Sequence, residues 1–177
     1  PTIDYVVIKI PKWPFDKFVY AKNELGTQMK ATGEVMSIAD TFELALLKAI
    51  KGAEIGLKDL NLPKLKKLSD EEIRKKIYKV TDERIFVLYE AILRGFSLDE
   101  LFDITKVDRW FLNGLKNIAA GEVTYSTGIY KMVDTCAGEF SAETPYFYAV
   151  ASGENEAAEF VKNSKKERVM VLGSGPI

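Results

Sequence analysis

Histidine is absent from this 177-residue chain, and cysteine occurs once, at Cys136. The first absence removes imidazole acid–base chemistry, Ser-His and Cys-His dyads and histidine-ligated metals. The second removes intrachain disulfides and any cysteine-only zinc site. No apolar run approaches the roughly 18 residues of a spanning helix. Pro1-Thr2-Ile3-Asp4 leads into a strand rather than a signal sequence. The net charge of −1 gives no global pull towards nucleic acid or a membrane surface. A lone cysteine fits a reducing compartment, so the cytoplasm is the expected location. Any catalysis by the polypeptide unaided would rest on carboxylates, lysines or a bound cofactor.

What is present fits one ordinary globular domain or two small ones, with 47% hydrophobic and 29% charged residues. Tyr5 to Ile10 is a β-branched run closed by Pro11, which predicts a strand. Trp13, Phe15, Phe18 and Tyr20 follow in an irregular stretch, as anchors of a loop. The polar, glycine-punctuated Leu25 to Gly33 then runs into a second strand. Period-2 alternation puts Glu34, Met36 and Ile38 on one face and Val35, Ser37 and Ala39 on the other. Glu34 is then either a carboxylate in a structural salt bridge or one placed for function, since an unpaired buried charge is costly.

Asp40-x-x-Glu43 predicts a helix start, and Phe42, Leu46, Ala49, Ile50 and Ala53 make one apolar stripe. Composition changes near residue 57, where a domain boundary is expected. Ser69-x-x-Glu72 opens a helix to Lys79 with a solvated basic face. Arg84 to Arg94 is apolar nearly all round apart from Glu90. It is either a central helix or one with a face covered by another subunit. Ser97-x-x-Glu100 caps a short helix, and Val107, Trp110, Phe111, Gly114, Leu115 and Ile118 form a further stripe with the glycine permitting close approach. Two short extended pieces follow, at 130–134 and 144–148. Residues 152–167 are expected to be a solvated linker, and Arg168 to Leu172 a strand running into Gly173-Ser174-Gly175. A chain stopping there is expected to be part of something longer.

Helices 84–94, 98–104 and 107 onward have helix-turn-helix spacing. Between Ser97 and Asn117, however, acids exceed bases by one, which disfavours phosphate contacts, so no nucleic acid and no membrane partner is expected. Cys136, with no histidine or adjacent lysine, is expected to be a buried small hydrophobe.

Five stretches in order resemble the carbamoyl phosphate synthetase large subunit: DYVVIKIPKWPFDKF, GTQMKATGEVMSIADTFELALLKAI, ERIFVLYEAILRGFSLDELFDITKVDRWFL, YKMVDTCAGEF with TPYFY, and VMVLGSGPI. The resemblance implies an α+β arrangement in three parts. Residues 1–57 would close a first ATP-grasp domain, 58–129 would form a helical oligomerisation domain, and 130–177 would be an extended connector into a second synthetase half. It departs from the family where only Asn113 to Ile129 stands for a long helical insertion, which leaves the size of the oligomerisation domain open.

What the family resemblance implies for function is a ligase making carbamoyl phosphate from bicarbonate, glutamine-derived ammonia and two ATP, for arginine and pyrimidine synthesis. ATP, magnesium or manganese, and potassium would serve the parent enzyme, with none bound to this part. The expected partners are the remainder of the large subunit, a glutaminase small subunit and further copies of the chain. Met29 and Glu34 match positions bordering the family's carbamate tunnel. Phe86, Tyr89, Leu93, Trp110 and Phe111 would belong to the association helices. No residue here is expected to be catalytic. A free-standing association module is the alternative, with a helix-turn-helix nucleic-acid binder behind it.

Overall fold

A computed structural model describes residues 2–18, 20–125, 128–141, 143–163, 165–173 and 176. Strand β1 (Val6–Lys12) pairs antiparallel with β2 (Gly33–Ala39), Val6 facing Ala39 and Lys12 facing Gly33. The expected stop at Pro11 gives way to a strand continuing through it. A two-stranded sheet leaves β1 one free edge, and such strands tolerate proline. Alternation along β2 turns Ser37 and Ala39 inward and Glu34 and Met36 outward. Trp13 and Phe15 stack at 5.9 Å and are half-buried, whereas Phe18 and Tyr20 are exposed. Only the first two therefore anchor the loop.

Helix α1 (Phe42–Gly52) lies on the inner face of this sheet, where the Ser37 hydroxyl donates to the Ala45 carbonyl at 2.6 Å. Its cap is Thr41, which accepts from the Leu44 N–H, and not Asp40. Partners distant in sequence take both members of the expected local box. Asp40 Oδ2 accepts from the Ala151 N–H at 3.1 Å, and Glu43 accepts from Asn117 at 2.7 Å.

The capping box at Ser69 and Glu72 forms as its spacing implies and opens α2 (Asp70–Ile77), which ends two residues short of Lys79. Helix α3 (Arg84–Leu93) is the central helix, with Phe86 to Ala91 all buried. Gly95 follows at φ +86°, a conformation that glycine adopts without strain. Helices α4 (Leu98–Thr105), capped by Ser97, and α5 (Arg109–Ala120), capped by Asp108, complete the helical part. One apolar core joins α1 to α2, α3, α4 and α5 through Leu46, Ile50, Ile73, Val87, Leu101 and Leu112, and passes residue 57 without a break.

The last third folds on a second antiparallel pair, β3 (Ile129–Met132) and β4 (Phe147–Val150). Residues 156–163 form helix α6 (Glu156–Asn163) where a solvated linker is expected. The sheet holds its start: Asn155 accepts from the Tyr130 N–H and Glu156 from the Met132 N–H, while Phe160 meets Phe147 at 5.4 Å between ring centres. Cys136 is half-buried rather than enclosed, with its N–H on Asp134. The expected strand at Arg168 to Leu172 does not form. A strand needs a neighbour for its backbone, and Val169 to Leu172 are 83–87% exposed. Ser174 and Gly175 of the expected glycine turn lie outside the described residues.

Two partly buried contacts tie the sheets together. Lys48 Nζ donates to the Ile38 carbonyl at 3.0 Å and the Ala149 carbonyl at 2.7 Å. Burial lowers its pKa, against the pull of Asp40. Tyr148 packs on Tyr5 at 5.5 Å, and burial, helped by Asp4, Glu156 and Asp40, pushes its phenol up to about 12. An unfolded tyrosine titrates near 10. The contribution of Tyr148 is therefore whole below pH 10 and is lost as pH rises through 12, a change of about 2 kcal/mol. Urea unfolding at pH 9 and pH 12 should show a smaller alkaline loss in Tyr148→Phe than in the parent. Equal losses would refute the assignment.

Candidate association surface

Helix α5 begins where Asp108 Oδ1 accepts the Trp110 N–H at 2.7 Å, which sets Trp110 and Phe111 in its first turn. The two rings meet edge to face at 5.1 Å. Phe42, from the first turn of α1, completes a triangle at 5.1 Å to Trp110 and 5.6 Å to Phe111. Beneath the Phe42 ring lies Gly114, where an added Cβ would stand 2.4 Å from Cδ1 and 2.6 Å from Cε1. Glycine at that turn thus lets α1 approach α5, and the Glu43–Asn117 hydrogen bond clamps the same crossing. The outer sides of the rings stay open, Trp110 at 58% and Phe111 at 46% exposure. Side chains of this size, held by edge-to-face contacts and half in water, suit protein association.

The five helix residues singled out in the sequence therefore fall into two sets. Phe86 and Tyr89 are buried in the chain's own core, behind the surface, and burial raises the Tyr89 pKa. Leu93, at the C-terminal end of α3, is exposed, as are Trp110 and Phe111.

Close to Leu93, the Arg94 guanidinium is the most heavily used cation of the helical part. Its Nε donates to Glu90 at 2.8 Å, Nη1 to the Leu68 carbonyl and Asp70, and Nη2 to the Leu65 carbonyl. Glu90 and Asp70 raise its pKa. The run of lysines is largely solvated, with Lys75 on Glu71, Lys64 on Glu83 and Arg74 on Glu100.

Glu34 faces outward on β2 and accepts from Lys9 Nζ at 2.6 Å, diagonally across the strand pair. Both partners are about half exposed, so the pair adds little stability by itself. Met29 projects from the preceding loop at 88% exposure. The helix-turn-helix face presents Asp108 and an Arg109 already paired with Asp99 at 3.0 Å.

Sequence reading missed one feature. Phe42 is visible as a stripe residue, but not as the hub between Trp110, Phe111 and Gly114.

A closed helical core with large aromatic side chains turned outward describes a small α+β association module. A family model for the carbamoyl-phosphate synthetase large chain, oligomerisation domain, matches residues 34–136. That span is more than half of the chain, and the chain belongs to this family, a part of a ligase. No helix among the described residues is long and apolar enough to cross a membrane.

Proposed function

We propose that this chain is the self-association module of the large chain of a glutamine-dependent carbamoyl-phosphate synthetase, and that Trp110 and Phe111, together with Leu93, make the contact between copies. The exposed aromatic pair, fixed from behind by Phe42, carries the reading, in a chain whose family is defined by oligomerisation. Phe86 and Tyr89 hold α3 in place beneath it. Residues 1–57 are proposed to complete an ATP-grasp domain supplied by further protein, and 130–177 to connect onward. In that setting the outward Glu34 and exposed Met29 border the carbamate path.

No group of three or more acids and cysteines that could hold a metal gathers among the described residues. ATP, magnesium or manganese, and potassium are proposed to serve the parent enzyme. Those groups, the chemistry towards arginine and pyrimidines, and the glutaminase partner are proposed to lie with protein outside this chain.

Sedimentation equilibrium of the chain from micromolar to several hundred micromolar tests the association. The parent should form a dimer or larger species. Trp110→Ala should weaken it about thirtyfold or more, as removal of an interface hot spot does. A monomer mass at the highest concentration would overturn the proposal.

A further inference from the structure

Among the described residues of β3, β4 and α6, only Tyr148 and Val150 are buried, and neither belongs to an apolar cluster of the chain. Hydrophobic burial, the main force that holds elements together, is therefore thin here. What joins this part to β2, α1 and the first residues of the chain is mostly polar. The Tyr5 hydroxyl donates to the Asp134 carbonyl at 2.7 Å, and the Thr2 N–H to the Ala137 carbonyl at 2.6 Å. Asp4 pairs with Lys131 at a partly exposed site, and Lys48 holds the Ala149 carbonyl. None of these contacts reaches α2 to α5.

Two groups of this seam sit there at a cost. Asp40 Oδ1 is buried and accepts no hydrogen bond, although Oδ2 takes the Ala151 N–H. Burial of Lys48 disfavours its charge, as its lowered pKa records. Both groups would regain water if β4 left β2, which offsets part of the hydrogen bonding lost. A two-stranded ribbon is at best marginally stable by itself. Away from β2 it would lose its own order, and its amides would open together as one local unit.

We propose that β3, β4 and α6 form a releasable strap, which leaves the first sheet and unfolds as one unit while α1 to α5 stay folded. In the function proposed above, on which this use of the strap rests, the residues before and after the helical part belong to different domains. An opened strap would let those two parts separate without disturbing the contact between copies.

Amide hydrogen exchange of the full chain, read residue by residue by NMR, tests the strap. Val133, whose N–H is held by the Tyr146 carbonyl, and Ala151 should show similar protection. Both should be protected about a hundredfold less, or weaker still, than Val87 to Ala91 in α3. Lys48→Met should lower the protection of both by about tenfold, the value of a hydrogen bond to a charged group, and leave α3 within about twofold of the parent. Asp4→Asn, a change at an exposed position, should lower it by about threefold. Protection of Val133 and Ala151 equal to that of α3 would overturn the proposal. So would a Lys48→Met effect confined to Ala151, which marks fraying, or one shared by α3, which marks global unfolding. Sedimentation of the same samples reads the association separately, so either result can fail without the other.

Discussion

Arg94→Met should lower the urea midpoint of unfolding, because it takes the guanidinium from a buried carboxylate, Glu90. The loss has two parts. Glu90 is left buried without its guanidinium, and the Leu65 and Leu68 carbonyls lose the donors that hold the turn before α2 against the end of α3. Arg94→Lys should recover only a fraction, because an ammonium cannot reproduce a fork spread over two carbonyls and two carboxylates. The double change Glu90→Leu with Arg94→Met should be less damaging than Arg94→Met alone, since it removes both charges from the interior. Urea unfolding of the four proteins decides the matter. An unchanged midpoint in Arg94→Met would show that the network is dispensable.

Gly114→Ala should destabilise the chain, although the same exchange in an open helix stabilises by about 1 kcal/mol. The new methyl would sit 2.4 Å from Phe42 Cδ1, and the ring cannot simply rotate away because Trp110 and Phe111 stand against it. Overpacking of this kind costs about 1–3 kcal/mol. In a chain of this length each kilocalorie moves the melting temperature by about 2–4 °C. The expected observable is a lower melting temperature together with a changed tryptophan emission, as Trp110 is displaced. Phe42→Leu in the same chain should restore part of the loss by clearing the space. A melting temperature that rises would show that α1 and α5 can separate freely.

Signals that rest on local geometry were legible in the sequence. The capping box at Ser69, the cap at Ser97, the stop at Gly95 and the stripe through Gly114 all report on neighbours one helical turn away. Signals that depend on distant partners were not. Asp40 looked like a helix cap because the residue it serves, Ala151, lies 111 positions on. The polar stretch that became α6 carried no apolar stripe of its own, and the backbone of β3 is what captures Asn155 and Glu156. The reverse error fell on Val169 to Leu172, whose composition favours a strand while no described neighbour completes one. At the association surface the residues were named from their helices, but spacing alone could not separate Phe86 and Tyr89, inside, from Trp110 and Phe111, outside. That division is set by where α1 crosses.

The single ammonium of Lys48 has a mechanical consequence. It holds a carbonyl at the end of β2 and another in β4, so the opening and closing portions of the chain share one rivet carried by α1. Torque applied to the first sheet is delivered to the second directly, without passing through α2 to α5. Because Phe42 and Glu43 of the same helix meet α5, a movement at the association surface would be carried through α1 to both sheets.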